Sequence, residues 1–303
     1  MIQVNGLVKR YGKFTAVEGV KFQVQKGEVF GLLGPNGAGK TTTIEMLVGL
    51  RKPDEGTAML AGYDIRKEID KVKEVIGIQL QSTSLFELLT VEEMLQLYAS
   101  FYPKNVSIPE LIDDMILTEK KSDRIKGLSG GQKQRLAIAL ALIHDPMVVF
   151  LDEPTTGLDP QARRTLWDIV LRLKKQGKTI LLSTHYMDEA HVLCDRIGIM
   201  DQGRLIALDT PQHLVKNLQS DSAVEFRLQN NLQPTELEKI DGVKQVSVRK
   251  DVYVLYTDRL QSTLTHLIQL ASEWELQLTD LQTRTATLED VFIHMTGRSL
   301  REE

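Results

Sequence analysis

Residues 28–42 read Glu28-Val29-Phe30-Gly31-Leu32-Leu33-Gly34-Pro35-Asn36-Gly37-Ala38-Gly39-Lys40-Thr41-Thr42, an apolar run that ends in the pattern G-x-x-x-x-G-K-T. The run before it suits a buried strand. The residues after it, Thr42-Thr43-Ile44-Glu45-Met46-Leu47, suit a helix. Glycines let the backbone fold tightly, so that successive N–H groups point inward at phosphate oxygens. The helix that follows presents its positive end to the same anion. Lys40 is placed to reach the β- and γ-phosphates, and the Thr41 hydroxyl to hold Mg²⁺. A glycine-rich turn with a stray lysine is the plain alternative, and the strand before and helix after weigh against it. The motif names a nucleoside triphosphate and leaves open what its hydrolysis drives.

At 303 residues the chain is long for one domain and comfortable for two. Its 42% hydrophobic and 26% charged residues are those of an ordinary soluble globular protein. A net charge of −4 and the lack of a cationic run give no footprint for nucleic acid. The single cysteine, Cys194, forms no internal disulfide, which fits a reducing cytoplasm. Within Val192-Leu193-Cys194-Asp195-Arg196-Ile197 it reads as a small buried hydrophobe. There is no signal-peptide pattern, and no apolar stretch approaches the ~20 residues that span a bilayer. Any membrane role is therefore expected to be peripheral, through a partner.

The first two-thirds of the chain alternate short β-rich runs with helical patterns, which predicts a three-layer α/β fold. Residues 2–9 and 17–25 read as strands of a small antiparallel section ahead of the phosphate loop. Met147 to Leu151 and Thr179 to Ser183 are continuous apolar runs, as for strands buried on both faces. Between them, residues 161–175 carry helical spacing, with Leu166, Ile169, Val170 and Leu173 on one face. Residues 197–200 and 204–208 read as a hairpin, and Thr210-Pro211 opens a short helix. Asn217 to Ser222 is polar and reads as a linker. Beyond it the elements follow the order β-α-β-β-α-β of a ferredoxin-like module, closed by a helix over residues 288–296.

Three further motifs follow in order. Ser129-Gly130-Gly131-Gln132 starts a long helical run and offers free N–H groups, a small hydroxyl and a helix dipole. Taken alone such a turn is more often a plain N-cap. Val148 to Leu151 leads into Asp152-Glu153. Asp152 suits Mg²⁺. Strand alternation sends Glu153 to the opposite side, toward the γ-phosphate and the attacking water. A solvated strand end is the plain reading of the same pair. Ser183-Thr184-His185 ends the next apolar strand, where a histidine can donate to the γ-phosphate or to that water.

Together, Gly34 to Thr42, Leu128 to Gln132, Val148 to Glu153, Gly157-Leu158-Asp159 and His185 resemble the ATP-binding subunit of ATP-binding-cassette (ABC) transporters. The resemblance spans residues 1–216 and implies a three-layer P-loop cassette with a helical subdomain at about 82–145. A small α+β domain is expected over 217–303. The resemblance implies that Tyr11 stacks on adenine and that Gln81 touches Mg²⁺ and the water. Gln79 lies two residues away, and Leu80 stands where the family often has proline. It implies that Asp159 lies in a loop crossing between subunits. It also implies a homodimer in which the Ser129–Gln132 turn of one subunit closes over the ATP held by Lys40 of the other. The apolar residues of 84–102 include Phe86, Leu88 and Phe101; most of them suit the subdomain's own core, and the exposed remainder a groove for a membrane subunit.

The C-terminal stretch ending Thr287 to Arg298 resembles the tails of daunorubicin-resistance-type bacterial exporter ATPases, which pair with separately encoded permeases. The implied place is cytoplasmic, on the inner face of the membrane. Its role is to stabilise a dimer, to regulate turnover or to complete the fold. Two other readings stand beside this one. A soluble cassette ATPase of ribosomes or DNA commonly has two cassettes or a coiled-coil insertion and a basic surface, none of which is present. A cassette that senses ATP without turnover has no need of Glu153 and His185. The cargo is not legible.

Overall fold

The protein is described by a computed structural model covering residues 1–218, 222–228 and 232–296. Residues 219–221 of the expected linker and Gly297-Arg298 of the tail motif lie outside the described residues. The chain divides into two compact units, Met1–Thr210 and Pro211–Glu303.

The first unit opens with a hairpin, β1 (Ile2–Tyr11) and β2 (Phe14–Val24). Its register runs from Ile2 against Val24 to Tyr11 against Phe14, and alternate residues such as Ile2, Val4, Val20 and Phe22 turn inward. β3 (Val29–Leu33) is buried on both faces and leads through the phosphate loop into α1 (Lys40–Leu47). Four elements follow that residue pattern left unassigned: β4 (Glu55–Leu60), β5 (Tyr63–Asp64), α2 (Ile69–Val75) and β6 (Ile76–Gln79). β4 pairs with β1, and β6 becomes the edge of the main sheet.

The helical segment holds α3 (Val91–Ala99), α4 (Ile108–Asp114) and α5 (Gly130–Leu142). A capping box between Thr90 and Glu93 starts α3. The segment ahead of α3 is tied to the one ahead of α5: Ile125 N–H donates to the Leu89 carbonyl at 2.9 Å, and Lys126 N–H to that of Glu87 at 3.0 Å. Val91, Met94 and Leu95 are buried, whereas Phe86, Leu88 and Phe101 are exposed.

The unit then continues with β7 (Val148–Asp152), α6 (Pro160–Lys175), β8 (Thr179–Thr184), α7 (Met187–Leu193), β9 (Arg196–Asp201) and β10 (Arg204–Asp209). The main sheet runs β10-β9-β3-β8-β7-β6, parallel except for β10. Its central strands β3, β8 and β7 are buried throughout and apolar up to the polar residues at their ends, and one face packs on the β1-β2-β4 sheet and α1. α7 ends hard against β3: a β-carbon at Gly31 would stand 2.6 Å from Cys194 Sγ, so only glycine fits there. Cys194 is buried, and burial pushes its thiol pKa well up.

The second unit starts earlier than expected, at α8 (Pro211–Lys216), because that helix packs on the last one of the chain. It continues as β11 (Ser222–Leu228), α9 (Pro234–Leu237), β12 (Val243–Arg249), β13 (Val252–Thr257), α10 (Leu260–Glu273), β14 (Leu278–Thr285) and α11 (Leu288–Thr296). The strand order β12-β13-β11-β14, antiparallel throughout, is that of a split βαβ module. Phe226, Tyr253, Leu255 and Leu267 build the core on one face. On the other, buried Asp290 of α11 accepts from both terminal nitrogens of Arg284 at 2.6 and 2.9 Å and from Tyr256 Oη at 2.8 Å.

Candidate active site

The phosphate loop is shaped by its glycines. Gly39 is the N-cap of α1 at φ +98°, and a β-carbon there would meet the Ala16 carbonyl oxygen of β2 at 2.5 Å. A side chain would be both strained and obstructed. The first N–H groups of α1 have no intrahelical acceptor, so the loop offers a row of donors at the positive end of a helix. Lys40 is buried and folds back over this loop, its Nζ donating to the carbonyls of Gly34 at 2.8 Å and Pro35 at 3.0 Å. Pro35, Asn36, Gly37, Ala38, Thr41 and Thr42 complete it. Burial pulls the Lys40 pKa down, with Glu153 and Asp152 acting against that.

The end of β7 delivers both acids, and β8 the serine that braces them. Asp152 ends β7, its Oδ1 accepting from Thr41 Oγ1 at 3.2 Å and from Ser183 Oγ. Its Oδ2 is buried with no hydrogen-bond partner, and burial raises its pKa despite those two bonds. A buried carboxylate oxygen without a donor fits a cation. Asp152 Oδ2, the Thr41 hydroxyl and the amide oxygen of Gln81 are donors of the all-oxygen type that Mg²⁺ takes.

Glu153 does not follow by strand alternation. It adopts φ +47°, rare for a residue with a side chain, and is held by its N–H donating to the Ser183 carbonyl at 3.2 Å and to Ser183 Oγ at 3.0 Å. The left-handed bend, rather than an extended pleat, aims its carboxylate. One oxygen stands 3.2 Å from Lys40 Nζ. The other is 3.4 Å from His185 Nδ1, an ion-pair distance without hydrogen-bond alignment, since that nitrogen has no hydrogen-bond partner. The same oxygen accepts from Gln81 Nε2 at 3.3 Å and from Thr156 Oγ1 at 3.2 Å. The His185 ring, with the Lys40 ammonium behind it, holds the Glu153 carboxyl down to about 2 against the effect of burial. The group is thus a fixed carboxylate at neutral pH, able to accept a hydrogen bond from water.

Over their full lengths, the chain is similar to the linearmycin resistance ATP-binding protein LnrL of Bacillus subtilis, with 37% identity covering 100% of both chains. The chain belongs to the ATP-binding subunits of ABC transporters. The ABC transporter family itself matches residues 17–156. A Nod factor export ATP-binding protein I of Ralstonia nicotianae is 38% identical over 100% of this chain and 95% of its own. Among solved structures, an ATP-binding subunit of an ABC transporter superposes with a TM-score of 0.65 at 32% identity, over 72% of this chain and 93% of that one. A dimeric ATP-binding cassette in a post-hydrolysis state, bound to ADP and Pi, gives 0.63 at 27%, over 69% and 98%. The chain is an ATP-hydrolysing cassette.

In this ABC cassette, Gly34–Thr42, Gln81, Asp152, Glu153 and His185 meet at the C-terminal ends of β3, β6, β7 and β8. Tyr11 sits at the hairpin end of β1, partly exposed, with Arg51 and Lys9 cations 5.5 and 5.7 Å from its ring centre. Ser129 forms a capping box with Gln132, accepting from its N–H at 3.3 Å, which leaves the hydroxyl proton free to donate. Asp159 caps α6 by accepting from Gln161 and Ala162 N–H, each at 2.9 Å. No hydrogen bond or ion pair among the described residues joins the Ser129–Gln132 turn or Asp159 to the phosphate loop of the same chain. One neighbour escaped sequence reasoning. Ser183 braces both acids, and the parallel register that sets it against Asp152 would have found it. Gln79 is buried and donates to the Leu80 carbonyl at 2.6 Å, beneath the acids rather than among them.

Proposed function

We propose that two copies of this chain sandwich ATP and drive a separately encoded membrane permease that exports its cargo. The observation that carries the reading is the position of Glu153, within 3.2 Å of Lys40 and 3.4 Å of His185. The residue that would grip the terminal phosphate and the residue that would activate water meet there at one point. In this reading the Gly34–Thr42 loop and Lys40 cradle the triphosphate, and Tyr11 stacks on the base. Thr41, Asp152 and Gln81 hold Mg²⁺, which neutralises charge on the phosphates when bound. Glu153 orients and polarises the water, steadied by His185 and Gln81.

The Ser129, Gly130, Gly131 and Gln132 turn would lie over the partner's nucleotide, with Asp159 in the crossing loop. A second set of N–H donors excludes water and stabilises charge where one chain leaves the phosphate open. The solved cassette that is dimeric with ADP and Pi supports this arrangement. Relatives named for resistance and for Nod factor export favour an exporter. No described helix is long and apolar enough to cross a membrane, so the chain would work on the cytoplasmic face through its permease. A cleft of about 410 Å³ lined by Ile78, Leu80, Tyr98, Tyr102 and His144 opens beside the glutamine segment and suits a docking helix. The second unit, from Pro211, would steady the dimer or regulate it. Light scattering of Glu153→Gln with ATP and Mg²⁺ tests the core of the reading: a stable dimer is expected, and a strict monomer would overturn it.

A further inference from the structure

Gly131 is the second residue of α5 and keeps a negative φ, so nothing in its own backbone calls for glycine. A β-carbon at Gly131 would nevertheless stand 2.9 Å from the Cβ of Ala162 and 4.0 Å from its Cα. Carbon atoms settle at about 3.5–4.0 Å. A methyl group there forces something to shift, and neither atom is the tip of a flexible side chain. Ala162 is itself fixed, because it lies in the first turn of α6 with its N–H on Asp159 Oδ1. Gly130 makes a looser approach, its β-carbon position 4.0 Å from Leu158 Cδ2. Two helix starts thus touch within one chain.

We infer that Ala162 is a positioning residue whose methyl group seats the Ser129–Gln132 turn, while the Asp159 cap holds that seat in place. The inference rests on the dimer reading, in which this turn completes the partner's site. The demand for glycine at 131 then comes from the chain's own α6, and a substitution at 131 is repairable from 162. The crossing loop and the clasping turn move as one body, so a displacement of either reaches the other site.

The test uses the full chain, with ATP turnover and ATP affinity both measured. Gly131→Ala shifts the turn by about 1 Å and lowers turnover on the order of 100-fold. ATP affinity, set by the chain's own Gly34–Thr42 loop, stays within about twofold. Adding Ala162→Gly leaves the Cα, 4.0 Å away, as the nearest atom, and turnover recovers at least about tenfold. Ala162→Val, which crowds the seat from the other side, reproduces the loss with affinity kept. A double variant no better than Gly131→Ala overturns the inference, since the demand for glycine then arises across the dimer. A fully active Gly131→Ala does so too. Should Gly131→Ala fail to fold, Ala162→Val decides alone: turnover equal to wild type overturns the inference. The dimer reading is judged apart from this, by ATP-driven dimerisation of Glu153→Gln with residues 131 and 162 native.

Discussion

Gln81 Nε2 donates to Glu153 Oε2 at 3.3 Å, joining the segment that follows β6 to the residue that follows β7. The helical segment begins at that glutamine, so a change in its pose reaches the acid through a single bond.

Replacing Glu153 by Gln keeps the shape and removes the fixed charge. Steady-state phosphate release is expected to fall by about 10²–10⁴-fold, the range for a positioned base, with ATP affinity retained. Unchanged release would remove Glu153 from the chemistry.

Acid stability depends on the same carboxyl. Its folded pKa, about 2, lies below the 4.5 of a free glutamate, so its contribution is present above pH 4.5 and lost as pH falls toward 2. Between pH 5 and pH 3 the wild type is expected to lose about 2 kcal/mol more than Glu153→Gln in urea melts. Parallel losses in the two proteins would contradict the depressed pKa.

Asp152→Asn weakens the oxygen set that ends at the buried, unpartnered Oδ2. The Mg²⁺ concentration for half-maximal turnover is expected to rise at least about tenfold. Titration at fixed ATP reads this, and a curve superimposed on wild type would rule the role out.

Trp167 Nε1 donates to Glu189 Oε1 at 3.1 Å, and Glu189 is fully buried. Burial raises the Glu189 pKa, with Thr184, Thr155 and Trp167 opposing it. Trp167→Phe removes a donor from this acid and is expected to cost about 1–3 kcal/mol in chemical denaturation.

Asp290→Ala strips Arg284 of its bidentate partner in the second unit. Because Arg284 is about one-third exposed, the cost is expected near the low end for a broken ion pair, about 3 kcal/mol. A melting transition unaltered by the change would show the pair to be inert.

Most of the ATP-hydrolysing core was legible because it is written in local grammar. The strand 29–33, its glycine loop and α1 announce themselves within twenty residues, and the double-sided burial of β7 and β8 shows as unbroken apolar runs. What escaped depended on distant partners. β4 and β6 are short and weakly patterned, and only pairing with β1 and β7 makes them strands. The aim of Glu153 was anticipated from a pleat that the chain abandons one residue earlier, where Ser183 captures its N–H in a left-handed bend. α8 was grouped with what precedes it, whereas its packing partner α11 lies some seventy residues on, beyond the reach of any local pattern.

The sealing of Cys194 beneath β3 has a practical consequence. A thiol introduced on the surface, away from the nucleotide site, would be the sole reactive sulfur in the polypeptide. Spin labels, fluorophores and cross-linkers could then be attached one site at a time to the native background, and the ATP-driven pairing proposed above followed directly.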